Sequence, residues 1–131
     1  MKSFAYKKTI YFDQCDPAGI LFFAELPKLA HQCIEDAIVE SGLPWNQWFD
    51  HPEYAAPLVQ ATQKFFQPLK ASKTYDFKTQ VDKVGTSSIT FLVEVFEDAI
   101  SMATCQSVHV FIDKKNGKPR PLPQAILDKL T

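Results

Sequence analysis

The chain has 131 residues, the size of one domain with one good core, and its 46% hydrophobic and 22% charged residues are ordinary for a globular protein. A net charge of −1, without any block of like charges, argues against a nucleic-acid binder, which would show a basic patch. No apolar run reaches the ~18 residues of a membrane span, and the opening M-K-S-F-A-Y-K-K-T-I-Y-F lacks the apolar stretch of a signal peptide. Cys15, Cys33 and Cys105 are irregularly spaced and form no CxxC, so they read as reduced thiols of a cytoplasmic protein rather than as disulfides or zinc ligands.

In chain order, residues 3 to 12 carry β-branched and aromatic residues in partial alternation and predict a strand. Residues 13 to 19, D-Q-C-D-P-A-G, predict a tight turn. Apolar Ile20, Leu21, Phe22 and Phe23 follow at once, so Asp16 sits in unusually apolar surroundings for a turn acid. From 24 to 41, Leu26, Leu29, Ala30, Cys33, Ile34, Ala37 and Ile38 recur at three- and four-residue spacing, one face of a helix. Pro27 falls in its first turn, and Gly42 followed by Pro44 stops it. A short polar and aromatic segment and a loop then lead to four predicted strands at 58–66, 73–84, 87–97 and 101–113. Turns at 70–72, 85–86 and 98–99 separate them, and Asn116-Gly117 leads into a Pro-rich tail. No repeat or linker divides residues 1–131, which read as a single domain. One strand, one long helix and a four-strand meander predict an α+β fold, a five-stranded antiparallel sheet wrapped around the helix.

The segment F-D-Q-C-D-P-A-G-I-L-F-F, from Phe12 to Phe23, resembles the aspartate loop of the hot-dog-fold acyl-CoA thioesterases of the 4-hydroxybenzoyl-CoA thioesterase family. The similarity continues through A-A-P-L-V-Q-A-T-Q-K-F-F-Q-P and V-G-T-S-S-I-T-F, over about 110 residues. The phrases A-H-Q-C-I-E-D-A, P-L-V-Q-A-T-Q-K-F-F-Q-P and P-L-P-Q are most similar to the 1,4-dihydroxy-2-naphthoyl-CoA thioesterases of that family. The resemblance implies a hot-dog fold and hydrolysis of an acyl-CoA thioester, with an aromatic acyl group favoured and coenzyme A as part of the substrate. It implies no further cofactor, and a homodimer or homotetramer with active sites between subunits.

By the same resemblance, Asp16 is the catalytic carboxylate, acting as nucleophile or as general base for water. The N–H groups where the helix begins, near Phe23, polarise the thioester carbonyl. Elementary electrostatics agrees, because a helix N-terminus offers unpaired donors and partial positive charge to a developing oxyanion. Gly19 lets the backbone approach a ligand closely. Gly85, Thr86, Ser87 and Ser88 form the turn that lies along the nucleotide end of coenzyme A. Arginines can stand there in the 4-hydroxybenzoyl-CoA enzymes, whereas this chain offers backbone N–H groups, hydroxyls and nearby Lys83. The acid often found two residues before the catalytic one is here Gln14; Asp13, one place earlier, is expected to face away.

Each of these residues has a plainer reading. An Asp-Pro turn ahead of a helix needs no catalytic role. Cys15 has no partner base beside it in the sequence and reads as inert. His31 and Glu35 share a helix face as a solvated pair, unless His31 lines an aryl pocket and bonds a ring hydroxyl. His51 and His109 read as structural or solvated, and the histidines and cysteines lack metal-ligand spacing. Thr62 and Gln63 border the pocket from a neighbouring subunit or are simple strand residues. Phe65 and Phe66 are pocket wall or core, and Trp45, Trp48 and Phe49 form a lid or a packing cluster. Two other functions stay open: a thioesterase for short or medium aliphatic acyl groups on coenzyme A or acyl carrier protein, and a non-catalytic acyl-CoA-binding module. The hot-dog dehydratases, which use a His with an acid, match the Asp16 loop much less well.

Overall fold

The computed structural model describes residues 2–131. Strand β1 (Ser3–Thr9) is followed by a 3-10 turn at Phe12–Gln14, the helix α1 (Glu25–Glu40) and a second 3-10 turn at Trp45–Gln47. Strands β2 (Tyr54–Ala55), β3 (Leu58–Phe65), β4 (Thr74–Val84), β5 (Ser88–Glu97), β6 (Ile100–Val110) and β7 (Ile112–Asp113) come next, and helix α2 (Gln124–Leu130) closes the chain. Helix α1 packs on β3, β4, β5 and β6 of the five-stranded antiparallel sheet. Its buried side chains are the seven that the three-and-four spacing selects, Leu26 to Ile38. Each large aliphatic one contributes about 1.5–3 kcal/mol by leaving water. Gly42, at φ +84, ends the helix in the left-handed conformation that glycine tolerates best.

The sheet supplies the other half of the core through largely period-two burial, broken where Thr90 and Met102 are buried as well. Tyr75, Phe77, Thr79 and Val81 of β4 face inward, as do Ile89, Phe91, Val93 and Val95 of β5 and Ala103, Cys105, Ser107 and His109 of β6.

Three expectations need correction. The strand order is β1-β4-β5-β6-β3, so only β4, β5 and β6 form a meander; β3 lies at the far edge, beside β6. Residues 66–73 are therefore a crossing connection and not a hairpin turn. Leu69 is buried on the way, and the Leu21 N–H donates to its carbonyl at 2.7 Å. The last predicted strand is broken after Val110: Ile112–Asp113 pairs with Tyr54–Ala55 in a separate two-stranded sheet. The Pro-rich tail ends in α2, which buries Ile126 and Leu130 at helical i,i+4 spacing.

Candidate active site

Residues 15–21 close on themselves as a small loop. Cys15 bridges Leu21, the Asp16 N–H donates to the Ile20 carbonyl at 2.9 Å, and the Gly19 N–H donates to the Asp16 carbonyl at 2.9 Å. Asp-Pro-Ala-Gly is thus a four-residue turn, with Pro17 at the position its fixed φ suits and Gly19 at φ +76. The half-buried Asp16 side chain accepts the Ala18 N–H at 2.9 Å and the Ile20 N–H at 3.3 Å, both on Oδ1. Oδ2 has no partner among the described residues. The turn-forming role and a free carboxylate oxygen are therefore both present in one residue. The loop is clamped from below, because Ile20 bridges Lys70 and the Ala71 N–H donates to the Gly19 carbonyl.

Across this loop the Phe22 N–H donates to the Gln14 carbonyl at 3.0 Å, which fixes the approach to α1. Among the described residues, the N–H groups of Phe23 and Ala24 find no acceptor, and no side chain caps the helix. Two backbone donors therefore stand free at its positive end. Ile20, Leu21 and Phe23 line a shallow apolar groove of about 320 Å³ with Phe65, Phe66, Gln67 and Pro68 at the end of β3. Phe23, Phe65 and Phe66 are exposed, so they are groove wall and not core.

His31 lies elsewhere. It lines a cavity of about 560 Å³ with Trp48, Phe49, Tyr54, Leu58 and His109, and Asp16 is not among the lining residues. The His31 ring stands edge-on to Phe49 at 6.4 Å and 6.4 Å from the ring of His109. Glu35, its helix-face neighbour, instead accepts the Trp45 Nε1–H at 3.3 Å. His109 is neither solvated nor on the surface: it is 3% exposed, on the inward row of β6. Its Nδ1 meets the Ala56 carbonyl at 2.8 Å, while Nε2 is buried without a partner among the described residues. Burial pushes its pKa below the usual imidazole value, against the raising effect of the Ala56 bond and with further lowering by His31. His109 is thus a pocket residue beyond its expected structural or solvated role, and the signal for it is the alternation of buried positions through Cys105 and Ser107, which carries its side chain inward.

The remaining candidates are dispersed. Thr62 is exposed in the edge strand β3, and neighbouring Gln63 has a buried, unpartnered Oε1. Gly85 to Ser88 form the tip between β4 and β5, where the Gly85 N–H donates to the Ser88 carbonyl at 2.8 Å. A Cβ added at Gly85 would lie 2.5 Å from Ser88 Oγ, a side-chain end that can turn away, and would meet the Ser88 carbonyl at an ordinary 3.7 Å. The carbonyls of Thr86 and Ser87 accept the N–H groups of Leu122 and Phe111. Asp13 is exposed in the 3-10 turn. Burial, then the charges of Asp16 and Asp13, raise the pKa of the Cys15 thiol, which suits an inert cysteine. His51 stacks on Tyr54 with centroids 3.8 Å apart and accepts the Glu53 N–H, a structural role. Trp48 is buried, whereas Trp45 is exposed and stacks on Phe49. A second cavity, of about 680 Å³, brings Lys114, Lys115 and Arg120 together with Glu53 and Asp113, residues too far apart along the chain for any local pattern to group them.

Residues 10–130 match the family model described as the thioesterase-like superfamily. A 1,4-dihydroxy-2-naphthoyl-CoA hydrolase of Nostoc punctiforme is 27% identical over 128 residues, covering 98% of this chain and 86% of the relative. The hydrolase of the same name from Microcystis aeruginosa is 26% identical over 121 residues, covering 92% of this chain and 88% of its own. The crystal structure of a 1,4-dihydroxy-2-naphthoyl-CoA thioesterase from Synechocystis superposes with a TM-score of 0.88 at 24% identity, covering 98% of this chain and 96% of that one. The fold is shared with that enzyme.

Proposed function

The chain belongs to the thioesterase-like superfamily, and from that premise we propose that it hydrolyses an aromatic acyl-CoA thioester, of the 1,4-dihydroxy-2-naphthoyl-CoA or 4-hydroxybenzoyl-CoA type. The observation that carries this reading is the aspartate loop. It offers a half-buried carboxylate with one oxygen that has no partner among the described residues, and, seven and eight residues on, two N–H donors without an acceptor at the start of α1. Asp16 attacks the thioester carbonyl or takes a proton from the attacking water. The Phe23 and Ala24 N–H groups hold the oxygen as it gains charge, and the coenzyme A thiolate leaves; on the nucleophilic route water then cleaves the acyl–Asp16 anhydride, releasing the acid and restoring the carboxylate. No cofactor is needed, since coenzyme A arrives as part of the substrate. Its nucleotide end follows the turn from Gly85 to Ser88, where the N–H groups of Thr86 and Ser87 have no partner among the described residues. The three unpaired thiols fit a cytoplasmic setting.

The preference for an aromatic acyl group rests on the cavity that His31 shares with Trp48, Phe49 and Tyr54. The experiment is a screen of purified protein for coenzyme A release across aryl and alkyl thioesters. Turnover of alkyl thioesters alone would replace this reading with the aliphatic thioesterase. Binding without turnover would replace it with the acyl-CoA-binding module. In the same screen His31→Ala is expected to weaken turnover of hydroxylated aryl substrates more than that of benzoyl-CoA. A substrate hydroxyl left unpaired in a buried site costs about 1–3 kcal/mol. Equal losses for both substrates would leave His31 a structural residue.

The aspartate loop and the His31 cavity lie at opposite ends of β3, since Phe65 lines the groove beside the loop and Leu58 lines the cavity. Seven residue steps of ~3.3 Å separate them by roughly 23 Å, too far for one acyl group to bridge. Strand β3 is a sheet edge, exposed along most of its length and with Leu58, Val59 and Phe65 open to solvent. Antiparallel pairing of β3 with a two-fold copy sets the Leu58 end of one strand against the Phe65 end of the other. The His31 cavity of one subunit then meets the aspartate loop of its partner, and the exposed edge is covered. The active species is accordingly a homodimer or a tetramer of such dimers. Light scattering at micromolar concentration is expected to give a dimer or tetramer mass. Ala61→Asp, which sets like charges near the two-fold axis, is expected to shift the protein toward monomer and to lower kcat/KM by at least ~10-fold. A wild-type monomer with full activity would overturn this arrangement.

A further inference from the structure

We propose that His109 Nε2 is a hydrogen-bond acceptor that reads a hydroxyl group on the acyl moiety of the substrate. The inference rests on the thioesterase reading above and assigns a specificity role to a residue outside the aspartate loop. Its starting point is tautomer logic. The Ala56 carbonyl can only accept, so the Nδ1 it meets at 2.8 Å carries the ring proton. A neutral imidazole with its proton on Nδ1 presents a bare lone pair at Nε2. The neutral form fits the surroundings: Trp48, Phe91 and His31 face the ring, at centroid distances of 5.3, 5.9 and 6.4 Å. No carboxylate is among its partners, and burial disfavours the imidazolium.

The lone pair is therefore enclosed and unsatisfied, in a residue 3% exposed that also lines a cavity of about 560 Å³. Natural interiors rarely leave such a group without a partner, and its desolvation is recovered only when a donor arrives. The Cys33 and Cys105 thiols are also buried, but they are weak donors, and neither lines this cavity. The complementary ligand is an aromatic ring bearing a hydroxyl. The ring packs against Phe49, Trp48 and Tyr54, and the hydroxyl donates to Nε2. An unhydroxylated ring fills the same space and leaves the acceptor empty. Discrimination between the two then follows from the cost of the unpaired nitrogen rather than from shape.

The test compares wild type with His109→Leu and His109→Gln on 1,4-dihydroxy-2-naphthoyl-CoA and on 2-naphthoyl-CoA, reading the ratio of the two kcat/KM values. The ratio is expected to fall at least ~10-fold in His109→Leu, and to recover in part in His109→Gln, whose amide oxygen again accepts. An unchanged ratio in folded His109→Leu would overturn the proposal. A second reading uses wild type alone and does not depend on turnover or on the variants folding. Imidazole ¹⁵N spectra are expected to show Nδ1 protonated and Nε2 bare. The Nε2 resonance should then move when 1,4-dihydroxy-2-naphthoic acid is added and stay in place with 2-naphthoic acid. A protonated Nε2 in the free protein, or the same response to both acids, would also overturn the proposal. A protein that cleaves neither thioester but shows the selective Nε2 shift would remove the thioesterase reading and leave His109 as a reader of hydroxyl groups.

Discussion

Asp16→Asn is expected to give a folded protein whose kcat is at least ~100-fold lower, with KM within a few-fold of wild type. The asymmetry between folding and catalysis follows from how the two carboxylate oxygens are used. Oδ1 accepts the N–H groups of Ala18 and Ile20, and the amide oxygen of Asn can accept both in the same geometry. The turn itself is closed by the Asp16 and Gly19 N–H groups, which the substitution leaves untouched. What disappears is the charge on the free oxygen, and with it the ability to attack the thioester or to deprotonate water. Steady-state coenzyme A release by both proteins, with circular dichroism as the check on folding, decides the matter. A folded Asp16→Asn protein that keeps most of its kcat would show that the residue only shapes the turn.

The parts of this architecture legible in the sequence are those specified by short-range periodicity. The inward face of α1 follows from a 3.6-residue period, and each of the seven residues selected that way is buried. The aspartate loop was legible because Pro and Gly fix its backbone at defined offsets. Sheet order was not legible. The segment 66–73 contains turn-forming residues, but whether it closes a hairpin or crosses to another strand depends on Leu69 finding a buried place against Leu21, a non-local fact. The same limit applied to α2, where Pro119, Pro121 and Pro123 mask a helix that begins at Gln124.

For the candidate site the division is sharper. Local chemistry marks Asp16 and Gly19 only as a turn, and the resemblance of the Phe12–Phe23 segment is what makes Asp16 a catalytic candidate, whereas His109 is found only through its row. Residues 103, 105, 107 and 109 of β6 all face the core, so a histidine in that row is buried whatever its own polarity. Period two identifies the row but not which end of it opens into a cavity; that is set by Trp48 and Phe49, which arrive from more than fifty positions earlier. Assembly of the two half-sites lies one level further out. That assembly is a proposal, and what supports it among the described residues is the edge strand β3, which leaves Leu58, Val59 and Phe65 exposed.

Trp48→Ala is expected to destabilise the fold by about 3–5 kcal/mol, the range for removing a large buried aromatic. Against a total stability of about 5–15 kcal/mol, this lowers Tm by roughly 10–20 °C in a chain of this length. The indole is 4% exposed and meets Phe91 at 5.6 Å, Phe111 at 5.3 Å and His109 at 5.3 Å, each edge-to-face. Such pairs add to the area term, and alanine would leave a void behind the His109 ring. Trp45→Ala is the matched control. Trp45 is 51% exposed, with one stacked contact to Phe49 and one hydrogen bond to Glu35, so its loss should cost well under ~1 kcal/mol. Thermal unfolding of both variants at one fixed protein concentration separates core from lid, since subunit association would otherwise shift Tm on its own. A Trp48→Ala protein that melts within ~2 °C of wild type would mean that the indole is a movable cover. The orientation of His109 would then have to be fixed by Ala56 and Phe91 alone.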